Sequence, residues 1–154
     1  MPFEYFRYEV GRDPDTVVAE IKEAAFRHDL IEQAIINHRL NMARQHLPNP
    51  PWAYSVILAN PRAAATFFSV TMTAVTEMPI RLGIYGTAYQ TTIIYHTMAA
   101  LLSRHHPDLR YAGETLDALI HELCMEIGAE LTSRELWSDH PESMASGPRN
   151  ISAC

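Results

Sequence analysis

Histidine is the residue type that gives this sequence most of its chemical potential, with eight copies in 154 residues. His121 and Cys124 are three positions apart, so on a helix they share a face and could supply two ligands to a metal ion. A closed zinc site needs four nitrogen or sulfur ligands, and His105 and His106 are the candidates for the other two. Scattered surface and capping histidines explain the same residues without a metal.

Haem is the other prosthetic group that the histidines suggest. The sequence contains no Cys-x-x-Cys-His motif, which excludes covalent attachment of c-type haem. Noncovalent haem needs one axial histidine or methionine and an apolar pocket, and the chain has seven methionines as further candidates. A metal or haem protein is therefore one alternative for the function.

A second polar set lies on two neighbouring predicted strands and comprises Arg81, Tyr85, Tyr95 and His96. Arg81 and Tyr85 share one strand face, with Gly83 between them, because side chains alternate along a strand. Tyr95 and His96 end the partner strand on opposite faces, so only one of them can join that set. The set could bind a small anionic or aromatic molecule, but it is also typical of a solvent-facing sheet or a dimer seam.

Catalytic machinery is hardly recognisable in the sequence, so an enzyme is the least supported class. Glu122 and Glu126 are spaced for one helix face, where such carboxylates are usually solvated. Ser55, Ser69 and Ser103 lie in no Gly-x-Ser-x-Gly context. No phosphate-binding loop or dinucleotide fingerprint occurs. A cysteine in the middle of a helix between acidic neighbours is expected to be a buried, inert thiol.

The elements that must position these residues mix strands with helices. Period-two alternation and turn signals predict strands over residues 3–10, 53–59, 80–85 and 91–96. Helical periodicity predicts helices over residues 14–27, 37–46, 61–76, 98–105 and 113–130. Residues 30–36 fit either a strand or a continuation of helix. Asp13 and Asn60 read as N-caps, each followed by a proline at the first helical position.

These elements predict a single α+β domain over residues 1–137. Its sheet is antiparallel or mixed with four to five strands, and helices cover one face in a two-layer arrangement. The helix over residues 61–76 is apolar most of the way round, which predicts packing on more than one side. Residues 138–154 are rich in Ser, Pro, Gly and Asn and predict a loose C-terminal tail.

Composition excludes several partners. The formal net charge is −6, which argues against nucleic acid, because phosphate binding needs clustered lysine and arginine. No apolar run approaches the ~20 residues that span a bilayer, and the N-terminus lacks a signal-peptide pattern. Two distant cysteines do not form a disulfide framework, so a reducing cytoplasm is the expected compartment.

Several short motifs resemble a known family, the domain of unknown function 302. The resemblance covers roughly residues 15–126 and rests on Asn60-Pro61 after an apolar strand, Met78-Pro79 before residues 80–85, Tyr95, Arg104-His105 and residues 35–38. It implies a compact two-layer α+β domain that is often dimeric and has no established activity. It also implies a strand over residues 30–36.

The sequence departs from the family pattern at two places. Ala59 stands where the family usually has glycine before Asn-Pro. After Tyr95 the family tends to have a polar residue, Asp and Pro, whereas this chain has His96-Thr97-Met98. A site built on that aspartate would be altered or absent here.

Three functional hypotheses follow. The first is a small-ligand-binding or regulatory domain that acts as a homodimer or larger homo-oligomer, with its site near Arg81 and Tyr85. The second is the metal or haem protein described above. The third is a structural or interaction protein that assembles through the helix over residues 61–76.

Overall fold

The computed structural model describes residues 4–135. Six β-strands in this part of the chain are β1 (Tyr5–Val10), β2 (Ile31–Asn37), β3 (Trp52–Ala59), β4 (Ile80–Gly86), β5 (Thr91–His96) and β6 (Glu130–Glu135). Five α-helices are α1 (Pro14–Arg27), α2 (His38–Arg44), α3 (Pro61–Val70), α4 (Met98–Ser103) and α5 (Leu109–Glu126). A 3-10 helix (Met72–Thr76) follows α3. The predicted tail over residues 138–154 lies outside the described residues.

The strands form one antiparallel sheet in the order β2-β3-β4-β5-β1-β6. The α+β class is therefore confirmed, but the prediction of four to five strands is wrong, because the sheet has six. The missed strand is β6, which the sequence periodicity partly assigned to the last helix. That helix ends at Glu126, since Gly128 adopts a φ of +78° that leaves the helical conformation.

The single helix predicted over residues 61–76 is also wrong in its second half. Thr71 takes an extended backbone (φ −154°, ψ 131°), and its hydroxyl accepts a hydrogen bond from the Thr73 N–H at 3.4 Å. This side-chain bond offers the backbone an alternative to the helical one, so α3 ends and a 3-10 helix begins. In α3 the fully buried residue is Phe67, while Val70 is exposed, so within residues 4–135 the helix does not pack on several sides as predicted.

Other predicted elements are confirmed. The Asp13 side chain caps α1 by accepting from the Thr16 N–H at 3.0 Å, with Pro14 at the first helical position. Asn60 caps α3 in the same way through the Ala63 N–H at 3.1 Å. The ambiguous segment is a strand, β2, as the family resemblance implied.

The core lies against one side of the sheet. Along β4 the residues Ile80, Leu82 and Ile84 are buried, whereas Arg81 and Tyr85 between them are exposed. α1 contacts β3 and β4, and α5 contacts α1, α3 and α4. The strict two-layer arrangement stays a prediction.

The opposite side of the sheet carries three members of the polar set found in the sequence, Arg81, Tyr85 and His96, and we call it the Arg81 face. It is defined by the outward residues of β4 and β5, which are Arg81, Gly83, Tyr85, Thr92, Ile94 and His96. Among residues 4–135, no helix is both long enough and apolar enough to cross a membrane.

Candidate functional site

A cleft of about 260 Å³ opens at the end of the sheet where β4 begins and β5 ends. We call it the sheet-end cleft. Three strands, the 3-10 helix and α4 contribute its lining, which consists of Tyr5, Thr76, Glu77, Pro79, Arg81, His96, Met98 and Leu101.

The floor of the cleft comes from neighbouring strands on the Arg81 face. Tyr5 of β1 pairs directly with His96 of β5, and their rings meet edge to face at 4.6 Å between centroids. Leu82 of β4 pairs with Tyr95, so Arg81, one residue earlier, comes level with His96. Strand alternation and register therefore align a phenol, an imidazole and a guanidinium in one row.

The walls come from the segments that flank these strands. Thr97 caps α4 by accepting from the Ala100 N–H at 3.2 Å, and the helix then directs Met98 and Leu101 to the cleft. On the other side the chain leaves the 3-10 helix through Glu77 and reaches β4 through Pro79, which follows a cis peptide bond. The walls are thus largely apolar, with one carboxylate.

The two charged side chains that line the cleft, Arg81 and Glu77, differ in whether another side chain contacts them. Arg81 has no hydrogen-bond or ion-pair partner among residues 4–135. Glu77, by contrast, is held by His105, whose Nε2 lies 2.8 Å from Oε1 of the carboxylate. Burial, aided by the nearby Arg104 guanidinium, lowers the pKa of His96 below its ordinary value, so its imidazole is neutral at pH 7. The cleft therefore combines a guanidinium without a partner in residues 4–135, a carboxylate that contacts His105, and an uncharged ring that can donate or accept a hydrogen bond.

A buried polar network fixes α4, which forms one wall of the cleft. The Asp117 carboxylate of α5 accepts the Tyr95 hydroxyl at 2.5 Å, the Met98 N–H at 2.7 Å and the Ala99 N–H at 3.1 Å. Burial raises the pKa of Asp117, although the three hydrogen bonds act in the opposite direction. The network satisfies the first amides of α4 and ties that helix to both α5 and β5.

The four residues of the predicted ligand set are therefore divided. Arg81 and His96 meet in the sheet-end cleft. Tyr85 lies on the same face, where its hydroxyl accepts from Arg7 Nη1 at 3.1 Å, and it does not line the cleft. Tyr95 is fully buried on the opposite side, and burial followed by the Asp117 charge raises its pKa well above the ordinary value.

The four predicted metal ligands are not brought together. Residues 4–135 contain no group of three or more His, Cys, Asp or Glu side chains that could hold a metal ion. His105 lies between Glu77 and Thr73, with its Nδ1 2.9 Å from the threonine hydroxyl. His106 accepts the Asp108 N–H at its Nδ1, at 3.2 Å.

The other two predicted ligands lie on α5. His121 shares a hydrogen bond with the Tyr8 hydroxyl at 2.9 Å, and their rings are 5.7 Å apart between centroids. Cys124 is buried, and burial raises the pKa of its thiol to about 12. Such a thiol stays protonated at pH 7, which agrees with the expectation of an inert cysteine.

The structure also reveals contacts that the sequence did not indicate. Glu77 follows one predicted helix, and Met98 and Leu101 lie in the next predicted helix, so only tertiary structure brings them together with Arg81. His38 Nε2 lies 2.8 Å from Ser55 Oγ, which joins α2 to β3. No third group orients the His38 ring among the described residues, so this contact does not form a catalytic triad.

The sequence matches the family described as Domain of unknown function DUF302 over residues 6–123. The chain belongs to this family. The match confirms the resemblance read from the short motifs, and it spans Arg81, His96 and α4. His96 and Met98, which line the cleft of this DUF302 domain, both lie within the matched range.

A solved structure supports the fold of this DUF302 domain. The crystal structure of an uncharacterized conserved protein, DUF302, from Bacillus stearothermophilus is similar, with a TM-score of 0.71 and 12% sequence identity. The similarity covers 77% of this chain and 94% of the other. At that identity the similarity shows a shared fold alone. No curated protein matches the sequence.

Proposed function

We propose that this DUF302 domain binds a small organic molecule in the sheet-end cleft, as a ligand-binding or regulatory domain. The observation that carries the proposal is the Arg81 guanidinium, which lines a cleft and has no ion-pair or hydrogen-bond partner among residues 4–135. The lining of the cleft also contains the polar His96 ring and the apolar side chains of Met98 and Leu101. A few convergent polar groups in an apolar concavity are typical of small-molecule sites.

The dimensions of the cleft limit the ligand. Ligand pockets commonly measure about 300–1,000 Å³. A cleft of about 260 Å³ lies just below that range, so it suits a compact molecule with roughly one ring.

Filling the cleft tests the proposal. Leu101 is half-buried at the cleft, and Leu101→Trp would occupy its volume. We expect compounds of a small-fragment library that bind the unmodified protein in ligand-observed NMR to lose binding in this variant. The matched control is Leu40→Trp on α2, where Leu40 is 45% exposed and does not line the cleft. Binding that survives Leu101→Trp, or a library without any binder, would contradict the proposal.

Self-association is a second candidate role, and a specific surface favours it. Val70, Met72 and Val75, at the end of α3 and in the 3-10 helix, are 41%, 64% and 53% exposed. Exposed apolar side chains of this size often mark interaction surfaces. We expect Met72→Lys to lower the mass measured by size-exclusion chromatography with light scattering, whereas Leu40→Lys leaves it unchanged. A monomeric unmodified protein would exclude this role.

The metal or haem alternative finds no support in the arrangement of residues 4–135, where the four predicted metal ligands do not meet. It stays a prediction of the sequence, and absorption spectroscopy with elemental analysis of the purified protein tests it.

A further inference from the structure

The Arg81 guanidinium of the sheet-end cleft favours a ligand that carries a negative charge. No side chain of residues 4–135 forms a hydrogen bond or an ion pair with it. Glu77 also lines the cleft, but its carboxylate contacts the His105 ring rather than Arg81, and the His96 imidazole is neutral at pH 7. A planar guanidinium donates two parallel hydrogen bonds to a carboxylate, which makes it a natural partner for that group.

The remaining lining favours an apolar body attached to that charge. Pro79, Met98 and Leu101 present hydrocarbon and thioether surface, and the Tyr5 ring adds an aromatic one. Methionine adapts its shape to irregular partners and makes favourable contacts with aromatic rings. A short aliphatic or single-ring body therefore fits beside Met98, with its charge toward Arg81.

The Glu77 carboxylate limits the number of negative charges that a bound ligand can carry. Its carboxylate lines the same cleft of about 260 Å³ that Arg81 lines, so a second anionic group on the ligand would lie near it. Like charges in a partly desolvated site repel, and the Glu77–His105 pair holds the carboxylate in place. Dianions such as phosphate monoesters or dicarboxylates are therefore disfavoured.

We infer that the ligand of the sheet-end cleft is a small monocarboxylate with a compact apolar or aromatic body, anchored by Arg81 and selected against dianions by Glu77. The inference rests on the proposed function and assigns its ligand class.

Four probes of nearly the same shape test the ligand class. Benzoate carries one negative charge, benzamide none, benzamidinium one positive charge and phthalate two negative charges. Binding is measured by chemical-shift changes in the ¹H–¹⁵N spectrum of the full chain at pH 7. We expect benzoate to shift the amides of His96, Met98 and Leu101, and to bind about tenfold more tightly than benzamide, because hydrogen bonds to a charged group are stronger.

Two variants assign the roles of the charged residues. Arg81→Gln is expected to reduce benzoate affinity about tenfold and to leave benzamide affinity unchanged. Arg44→Gln is the matched control, because Arg44 is exposed on α2 and does not line the cleft. Glu77→Gln is expected to narrow the preference for benzoate over phthalate.

The outcomes separate the ligand class from the proposed function. If benzamide or benzamidinium binds in the cleft as tightly as benzoate, the domain still binds a small molecule but the monocarboxylate class is wrong. The class is equally wrong if phthalate or inorganic phosphate binds more tightly than benzoate. Benzoate affinity that is unaffected by Arg81→Gln removes the proposed anchor. If none of these probes shifts the amides of the cleft and the fragment library yields no binder, the proposed function itself fails.

Discussion

Two consecutive residues, Tyr95 and His96, face opposite sides of the sheet and have opposite surroundings. Tyr95 lies in the core, where its hydroxyl and two amides of α4 all converge on Asp117. His96 lies in the sheet-end cleft beside Arg81, whose guanidinium has no partner among residues 4–135. The hydrogen bonds on the core side stabilise the fold, whereas the cleft side carries the proposed binding site. The same strand end thus borders a buried polar network on one face and the proposed binding site on the other.

The largest effect is expected from Asp117→Ala, which removes the acceptor at the centre of the core side. The Tyr95 hydroxyl and two amides would be left buried without partners, so we expect a loss of about 3 kcal/mol in the free energy of unfolding. Urea denaturation measures it. Asp108→Ala is the control, because Asp108 is exposed and makes no side-chain cap, and its change should stay within about 0.5 kcal/mol. Equal losses in both variants would contradict the role of the network.

A smaller effect is expected where α4 meets α5. A Cβ on Gly113 would lie 2.6 Å from the Cα of Ala99, so Gly113→Ala must push the two helices apart. Overpacking costs about 1–3 kcal/mol, and the helix preference of alanine recovers about 1 kcal/mol of it. We expect a net loss of up to about 2 kcal/mol by thermal or urea unfolding, together with weaker benzoate binding because α4 lines the cleft. Gly11→Ala meets nothing within 4 Å and should change neither property.

Removing one tyrosine hydroxyl from the core side and one from the Arg81 face compares how much each contributes to stability. Tyr95→Phe should cost about 1 kcal/mol of unfolding free energy, since it breaks one buried hydrogen bond. Tyr85→Phe removes a hydroxyl from the Arg81 face, where Tyr85 is 40% exposed, and should cost less than about 0.5 kcal/mol. The reverse order would show that the Tyr85 hydroxyl on the Arg81 face contributes more to stability than the Tyr95 hydroxyl on the core side.

The smallest effect concerns pH. The folded pKa of His96 is lowered by burial, so the unfolded chain binds more protons between that pKa and the ordinary histidine value near 6.5. The stability contributed by His96 is therefore complete above the ordinary value and is lost as the pH falls through the folded pKa. We expect His96→Gln to make the decline in unfolding free energy on acidification shallower. His46→Gln, on an exposed turn, serves as the control, and an unchanged decline in the His96 variant would contradict the assignment.

Local signals in the sequence predicted much of this fold. The Asp13-Pro14 and Asn60-Pro61 caps placed the starts of α1 and α3, and alternation over residues 80–85 placed Arg81 and Tyr85 on one face. Two features were not predicted, the first for a long-range reason and the second for a local one that helical periodicity does not report. The strand β6 is stabilised by its pairing with β1, a partner more than 120 residues away, and the break at Thr71 depends on a hydroxyl-to-backbone bond.

The candidate site was predicted only in part for the same reason. Strand alternation identified Arg81 and His96 but could not exclude Tyr85, because the position of a cleft along a strand depends on tertiary neighbours. Glu77 at the end of the 3-10 helix and Leu101 of α4 line the same cleft as Arg81, and no spacing in the sequence reports that arrangement.

The position of β1 between β5 and β6 has a consequence for how the domain forms. Residues 5–10 pair on one side with residues 91–96 and on the other with residues 130–135. Pairing over such sequence separations is entropically costly and slow, whereas β3, β4 and β5 are consecutive neighbours that can pair early. During synthesis, β1 therefore stays unpaired until β5 has left the ribosome. The last strand, β6, can pair with β1 only after Glu135 has left the exit tunnel. The row of Tyr5, His96 and Arg81, and with it the cleft, can be completed only once β1 has joined β5.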